Sequence, residues 1–174
     1  MTTPRLLLAP GASGGIERLR PIASALAGLG VSVGLVTLAR GTAERAVPEY
    51  RSAVDAEQLP VAIGGHSFGA RVASLVAAEA THPPAALVLL SYPLHAPGRQ
   101  EAWDVRTSHW PAIRCPVLLL SGEADPFARI ELMRMAVGRL GDARLRTWPR
   151  LGHGIGPVLD EAAEEISGFL AART

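Results

Sequence analysis

Residues Gly65-His66-Ser67-Phe68-Gly69 constrain this chain more than any other stretch. They form a G-x-S-x-G pentapeptide behind a short apolar run, Val61-Ala62-Ile63, and ahead of an apolar-rich segment, Ala70 to Ala80. Strand, sharp glycine-flanked turn and helix, in that order, are the context a nucleophile elbow requires. Such a turn brings backbones close together and strains φ and ψ at the serine. Side chains two positions to either side would collide with strand and helix, so glycine is needed there. The serine hydroxyl is then held at a helix N-terminus, where free N–H groups and the helix dipole favour negative charge. In a chain with 18 glycines the pentapeptide alone is a weak signal; its placement gives it weight.

The remaining sequence alternates in the same manner. Apolar runs from Leu6 to Ala9, Val31 to Leu38, Val61 to Gly64, Ala86 to Ser91 and Pro116 to Ser121 read as strands, and Ala143 to Trp148 as a last one. Between them, Ile16, Leu19, Ile22, Ala23 and Leu26 recur at helical spacing and stop at Gly28 and Gly30. Ala46 to Glu57 is a weaker helical segment, and Ala70 to Ala80 a stronger one. Ile130, Met133, Val137 and Leu140 mark another helix, and Val158, Leu159, Ala162, Ile166, Phe169 and Leu170 a final one. Most strands are continuous apolar runs, as expected where helices cover both faces of a sheet. The reading is an α/β fold: one domain over residues 1–174, with an open, mostly parallel sheet of about six strands. Sites in such sheets lie outside the carboxyl ends of the strands. One irregular stretch, Tyr92 to Arg114, is long enough for a covering or functional role.

Charge removes several function classes. All 17 basic residues are Arg, the formal net charge is +1, and the signs are interspersed. Neither nucleic acid nor an acidic membrane surface is an expected partner. The single cysteine, Cys115, allows no internal disulfide and no thiolate zinc site. No H-x-x-x-H pair or carboxylate cluster suggests a metal, and no cofactor is implied. The N-terminal apolar run is too short for a signal-peptide core, and nothing approaches the roughly 18 apolar residues of a membrane span. The expected location is the cytoplasm. The sequence leaves the oligomeric state open.

Two strand ends supply the groups a serine nucleophile lacks. The Pro116 to Ser121 run leads into Gly122-Glu123-Ala124-Asp125-Pro126, and the Ala143 to Trp148 run into Pro149-Arg150-Leu151-Gly152-His153-Gly154. A serine hydroxyl needs a base at neutral pH, and His153 is placed to take its proton. Imidazole suits both taking and returning that proton. Asp125 would fix the tautomer and stabilise the imidazolium. The oxyanion of an acyl-transfer intermediate needs two N–H donors. Phe68 follows the nucleophile, and Ala12 lies in the loop after the first strand, where Gly11 or Ser13 are alternatives. His95 and Tyr92, beyond the strand next to the elbow, are candidate pocket residues. His66 is expected to point sideways into packing or solvent, and Arg71 to be a solvated or salt-bridged helix residue, or one that braces the loop after a neighbouring strand.

The chain order Ser67, Asp125, His153 is that of α/β-hydrolases. With Leu8-Ala9-Pro10-Gly11-Ala12, the pentapeptide, Leu119-Leu120-Ser121-Gly122-Glu123-Ala124-Asp125-Pro126 and Gly152-His153-Gly154, the chain resembles the dienelactone-hydrolase-like group of compact serine hydrolases. The resemblance covers nearly the whole chain. It implies a minimal α/β-hydrolase fold without a lid domain. It also implies cleavage of an ester or thioester of a small acyl substrate, through an acyl-enzyme on Ser67. Three departures stand out. Pro10 occupies the place of a frequent histidine. Ser67 stands where dienelactone hydrolases carry cysteine, so lactone specificity does not carry over. The chain also begins at what looks like the family's third strand. With no lid, an open, shallow site is expected, its walls drawn mainly from Tyr92 to Arg114. Acyl transfer to an acceptor other than water, and a non-catalytic scaffold that binds a protein, are the alternative functions.

Overall fold

A computed structural model describes residues 3–173; Met1, Thr2 and Thr174 of the expected 1–174 span lie outside the described residues. The strands are β1 (Leu6–Ala9), β2 (Val33–Leu35), β3 (Ala62–His66), β4 (Ala86–Leu90), β5 (Val117–Gly122) and β6 (Ala143–Trp148). They form one sheet in the order β2-β1-β3-β4-β5-β6, and every neighbouring pair is parallel. The helices are α1 (Arg20–Gly28), α2 (Ala43–Asp55), α3 (Phe68–Glu79), α4 (Trp103–Arg106), α5 (Ile130–Val137) and α6 (Leu159–Ala171).

The two-residue period of the strands sorts the apolar side chains onto two faces. Leu7, Ala9, Ile63, Leu87 and Leu89 pack with residues of α2, α3 and α5, such as Tyr50, Ala73 and Met133. Leu6, Leu8, Ala62, Val88 and Leu90 pack with Ile22 and Leu26 of α1 and Ile166 and Phe169 of α6. The strand order reverses direction at β1: β2 lies on one side of it and β3 on the other. A crevice opens at such a switch point, outside the carboxyl ends of β1 and β3. The loop carrying Ala12 and the turn carrying Ser67 meet there.

Three boundaries differ from the sequence reading. The expected strand from Val31 to Leu38 is ladder-paired only over Val33–Leu35. Its sole neighbour, β1, is four residues long and ends before Pro10, which has no N–H to extend the ladder. Helix α3 begins at Phe68 rather than Ala70, because the turn at Ser67 is sharp enough for the helix to start at once. Helix α2 begins at Ala43 rather than Ala46, which places Pro48 inside the helix.

The stretch from Tyr92 to Arg114 sends its aromatic residues Tyr92 and Trp110 into the core, while its Pro93, Ala96 and Arg106 line a cleft beside Ser67. Trp110 is fully buried, and its ring meets that of Tyr92 edge-on at 5.0 Å between centroids. Among the described residues it holds only short helical pieces, α4 the longest α-helical one, and no separate lid. Nor is any helix there long and apolar enough to cross a membrane.

Tyr50 of α2 ties the sheet together beneath the site. Its buried hydroxyl lies 2.7 Å from the carbonyls of both Leu7 and Gly64, to which its one proton can donate, and accepts the Gly64 N–H at 2.9 Å. Desolvation pushes the phenol well above its ordinary pKa, so it stays a donor. Tyr50→Phe removes the bonds but keeps the ring. It is expected to cost about 1–3 kcal/mol, read as a lower urea midpoint at unchanged m-value. A midpoint equal to wild type would show that the hydroxyl does not brace β1 and β3.

Candidate active site

Ser67 sits at the junction of β3 and α3 with φ 53° and ψ −112°. A non-glycine residue there is strained by about 1–3 kcal/mol, and the surrounding structure must impose it. The imposition is visible on both sides. The Ser67 N–H donates to Leu90 O at 2.9 Å, which pins the turn to β4. A Cβ on Gly69 would lie 2.2 Å from Ala9 O, and one on Gly65 2.5 Å from the Gly69 carbonyl carbon. Only glycine permits this approach, so the spacing seen in sequence has a direct steric cause.

Asp125 follows β5 and its side chain is fully buried. One carboxylate oxygen, Oδ1, accepts the Phe127 N–H at 2.8 Å; the other, Oδ2, lies 2.8 Å from His153 Nδ1. His153 Nε2 in turn lies 2.8 Å from Ser67 Oγ. With Nδ1–H donating to the carboxylate, Nε2 is the ring's acceptor and the serine hydroxyl its donor. The three sequence candidates thus form one hydrogen-bonded chain.

Strand β6 is the sheet's outer strand, two strands further from β3 than β4 is. His153 still reaches Ser67 because the loop after β6 folds back over the end of β5. There Ala124 N–H donates to Leu151 O at 2.9 Å, and Glu123 N–H to Trp148 O at 3.0 Å. A Cβ on Gly122 would lie 2.1 Å from Leu151 O. The imidazole is further held between two rings, Phe127 at 4.6 Å and His66 at 5.3 Å between centroids.

His66 is a part of the site that the sequence reading missed. It points towards His153, and its Nε2–H donates to the His153 carbonyl at 3.0 Å. Burial is the main cause that holds its pKa below the ordinary imidazole value, which keeps it neutral beside the base. A variable position of G-x-S-x-G carries no signal of such a contact.

The loop after β1 approaches from the other side. A Cβ on Gly11 would stand 3.2 Å from His66 Nδ1 and 3.5 Å from Ser67 Cβ, so Gly11 packs on the elbow and Ala12 follows beside the serine. The Phe68 N–H, at the first position of α3, has no acceptor within its own helix.

Two clefts flank Ser67. The larger, about 750 Å³, runs from Ser67 and His153 between Gly11–Gly14, Leu19 and Ile22 on one side and Ile155 and Leu159 on the other. The smaller, about 400 Å³, lies across the serine and includes Phe68, Arg71 and Arg106. The larger cleft is no shallow groove, and none of its walls comes from Tyr92 to Arg114.

His95 and Tyr92, expected as pocket residues, line neither of these two clefts. His95 is 1% exposed, with Nδ1–H donating to Ala96 O at 2.9 Å and Nε2 accepting the Arg129 N–H at 3.0 Å. It thereby ties the loop after β4 to the segment after Asp125. Tyr92 is equally buried and donates to Arg106 O at 2.6 Å. Both lie past the correct strand end, but the chain turns their side chains inward. Of the readings open for Arg71, the structure shows an ion pair, with Glu44 at 2.9 Å. No group of three or more His, Cys, Asp or Glu that could hold a metal ion occurs among the described residues.

The chain belongs to the α/β-hydrolase domain family: residues 40–165 match the family described as an alpha/beta hydrolase domain. No curated protein matches the sequence. Among solved structures, the fold is similar to a monoacylglycerol lipase from Paleococcus ferrophilus, with a TM-score of 0.85, 16% identity, and 100% of this chain and 97% of that one covered. Est1E from Butyrivibrio proteoclasticus, solved with bound ferulic acid, gives a TM-score of 0.82 at 17% identity, covering 99% and 90%. A dienelactone hydrolase from Anabaena variabilis gives 0.77 at 23% identity, covering 98% and 87%. At these identities the likeness is one of fold. With the family match it places the chain among compact α/β-hydrolases, as the sequence motifs implied.

Proposed function

We propose that the protein is a serine hydrolase that cleaves an ester or thioester of a small-molecule substrate. The observation that carries this reading is the unbroken chain from Ser67 Oγ through His153 to Asp125, with 2.8 Å at each link. Ser67 attacks the acyl carbon as His153 Nε2 takes its proton, and Asp125 stabilises the imidazolium through Nδ1–H. The oxyanion receives the N–H groups of Phe68 and Ala12. His153 then returns the proton to the departing alkoxide or thiolate, which leaves Ser67 acylated. Water, deprotonated by the same nitrogen, releases the acid and restores the serine. The strained backbone at Ser67, imposed by the packing around it, supports the reading, because such strain clusters at active sites.

The test is a fluorophosphonate probe read by intact mass, alongside turnover of short activated aryl esters. One adduct per chain is expected on the wild type, and none on Ser67→Ala. A wild type that neither labels nor turns over would overturn the proposal in favour of a non-catalytic scaffold.

A further inference from the structure

The smaller cleft holds charge that the chemistry at Ser67 does not use. Arg71 and Arg106 both line it, with Glu44 the acidic residue among its walls. Arg71 is paired with that carboxylate at 2.9 Å. Arg106 donates through Nη1 to the Pro93 carbonyl at 3.1 Å, and among the described residues it has no carboxylate within ion-pair distance. A guanidinium has five N–H donors in a planar fork, so one carbonyl leaves most of them unused. Two effects lower the Arg106 pKa: burial, and then the charge of Arg71. This cation is kept partly dehydrated and facing a like charge, an arrangement that an incoming anion relieves.

Resting on the hydrolase reading, we infer that this cleft binds a carboxylate on the acyl half of the substrate, through Arg106 with Arg71 beside it. The side follows from proton transfer. The leaving group must receive its proton from His153 Nε2, and His153 lines the larger cleft and not the smaller one. The alcohol or thiol therefore occupies the larger cleft, whose near walls include Leu19, Ile22, Ile155 and Leu159. The acyl group extends past Phe68 into the smaller cleft, which at about 400 Å³ takes a short chain. The substrate class is then a half-ester or half-thioester of a short dicarboxylic acid with an apolar alcohol or thiol. Arg suits this task because its fork matches the two carboxylate oxygens.

The experiment compares naphthyl hemisuccinate with its methyl ester, which keeps the shape and removes the charge. The wild-type ratio of kcat/KM, anionic over neutral, is expected to be at least about tenfold. Arg106→Gln, which can still donate to the Pro93 carbonyl, brings the ratio to about one, and Arg106→Lys retains part of it. The loss should lie mainly in KM. Arg18 lines the larger cleft, and Arg18→Gln is expected to leave the ratio in place. A wild-type ratio near one, a ratio that survives Arg106→Gln, or one lost in Arg18→Gln overturns the inference. Calorimetric binding of both esters to Ser67→Ala separates it from the hydrolase reading. Tighter binding of the anionic ester, lost on adding Arg106→Gln, supports the cleft even if the wild type hydrolyses neither. Equal binding overturns the cleft, while turnover of the neutral ester leaves the hydrolase reading standing.

Discussion

Ser67→Ala and His153→Ala are each expected to lower kcat on an activated ester by about 10⁵- to 10⁶-fold, and the double variant by no more than either alone. The two act as one unit. Without the base the hydroxyl is not deprotonated, and without the hydroxyl the base has nothing to activate. Asp125→Asn is expected to cost about 10⁴-fold, for a reason specific to this site. Asp125 Oδ1 accepts a backbone N–H from Phe127, and that donor cannot be turned around. An asparagine must place its single carbonyl oxygen there, which aims its NH2 group at His153 Nδ1. The imidazole then accepts at Nδ1 and carries its proton on Nε2, the nitrogen that should receive the serine's. The ring stays in place in the wrong tautomer. Burst and steady-state kinetics, with near-UV circular dichroism to show an intact fold, check the series. Asp125→Asn retaining more than about a tenth of the activity would show that the carboxylate does not set the tautomer.

Ser67 and Asp125 were legible in sequence because each follows a strand with a strong apolar signal, and His153 because a Gly-His-Gly motif follows the last strand, whose own signal, Ala143 to Trp148, carries two arginines. Where strands are parallel, their carboxyl ends share one edge, so residues far apart in the chain meet there. The side chains that surround them were not legible, for a related reason. Which way a loop residue points depends on what fills the space behind it. Tyr92, His95 and Trp110 look like aromatic walls for a pocket, yet each is 1% exposed or less and faces the core. Besides Arg18 and Phe127, the larger cleft is walled mainly by small and aliphatic residues of the β1 loop and the approach to α6, whose composition is that of any loop. Strand boundaries behaved likewise. The β2 run is mostly apolar and β-branched from Val31 to Leu38, but a strand needs a partner, and β1 offers only a short one before Pro10. Pairing is decided by the neighbour, which no local pattern contains.

The route by which His153 crosses the sheet yields the second large expected effect. Gly122→Ala should cost about 10²-fold or more in kcat/KM together with about 1–3 kcal/mol of stability. Gly152→Ala, beside the histidine itself, should change neither appreciably. From sequence the two look alike, since Gly122 and Gly152 each stand in a motif that carries a candidate site residue. The structure separates them. A Cβ on Gly122 would stand 2.1 Å from Leu151 O and 2.4 Å from Gly152 O, both backbone atoms that cannot rotate away. A Cβ on Gly152 meets nothing within 4 Å. Neither glycine has a positive φ, so alanine strains neither backbone and the whole difference is steric. Relief of the Gly122 clash lifts the loop off β5 and carries His153 away from both Asp125 and Ser67. The damage therefore falls on the hydrogen-bonded chain as well as on packing. Measured side by side, equal losses in the two variants would mean that close packing of the loop on β5 is not what positions the histidine. A loss confined to Gly122→Ala would tie catalysis to the single point where two loops from different strands are too close for any side chain.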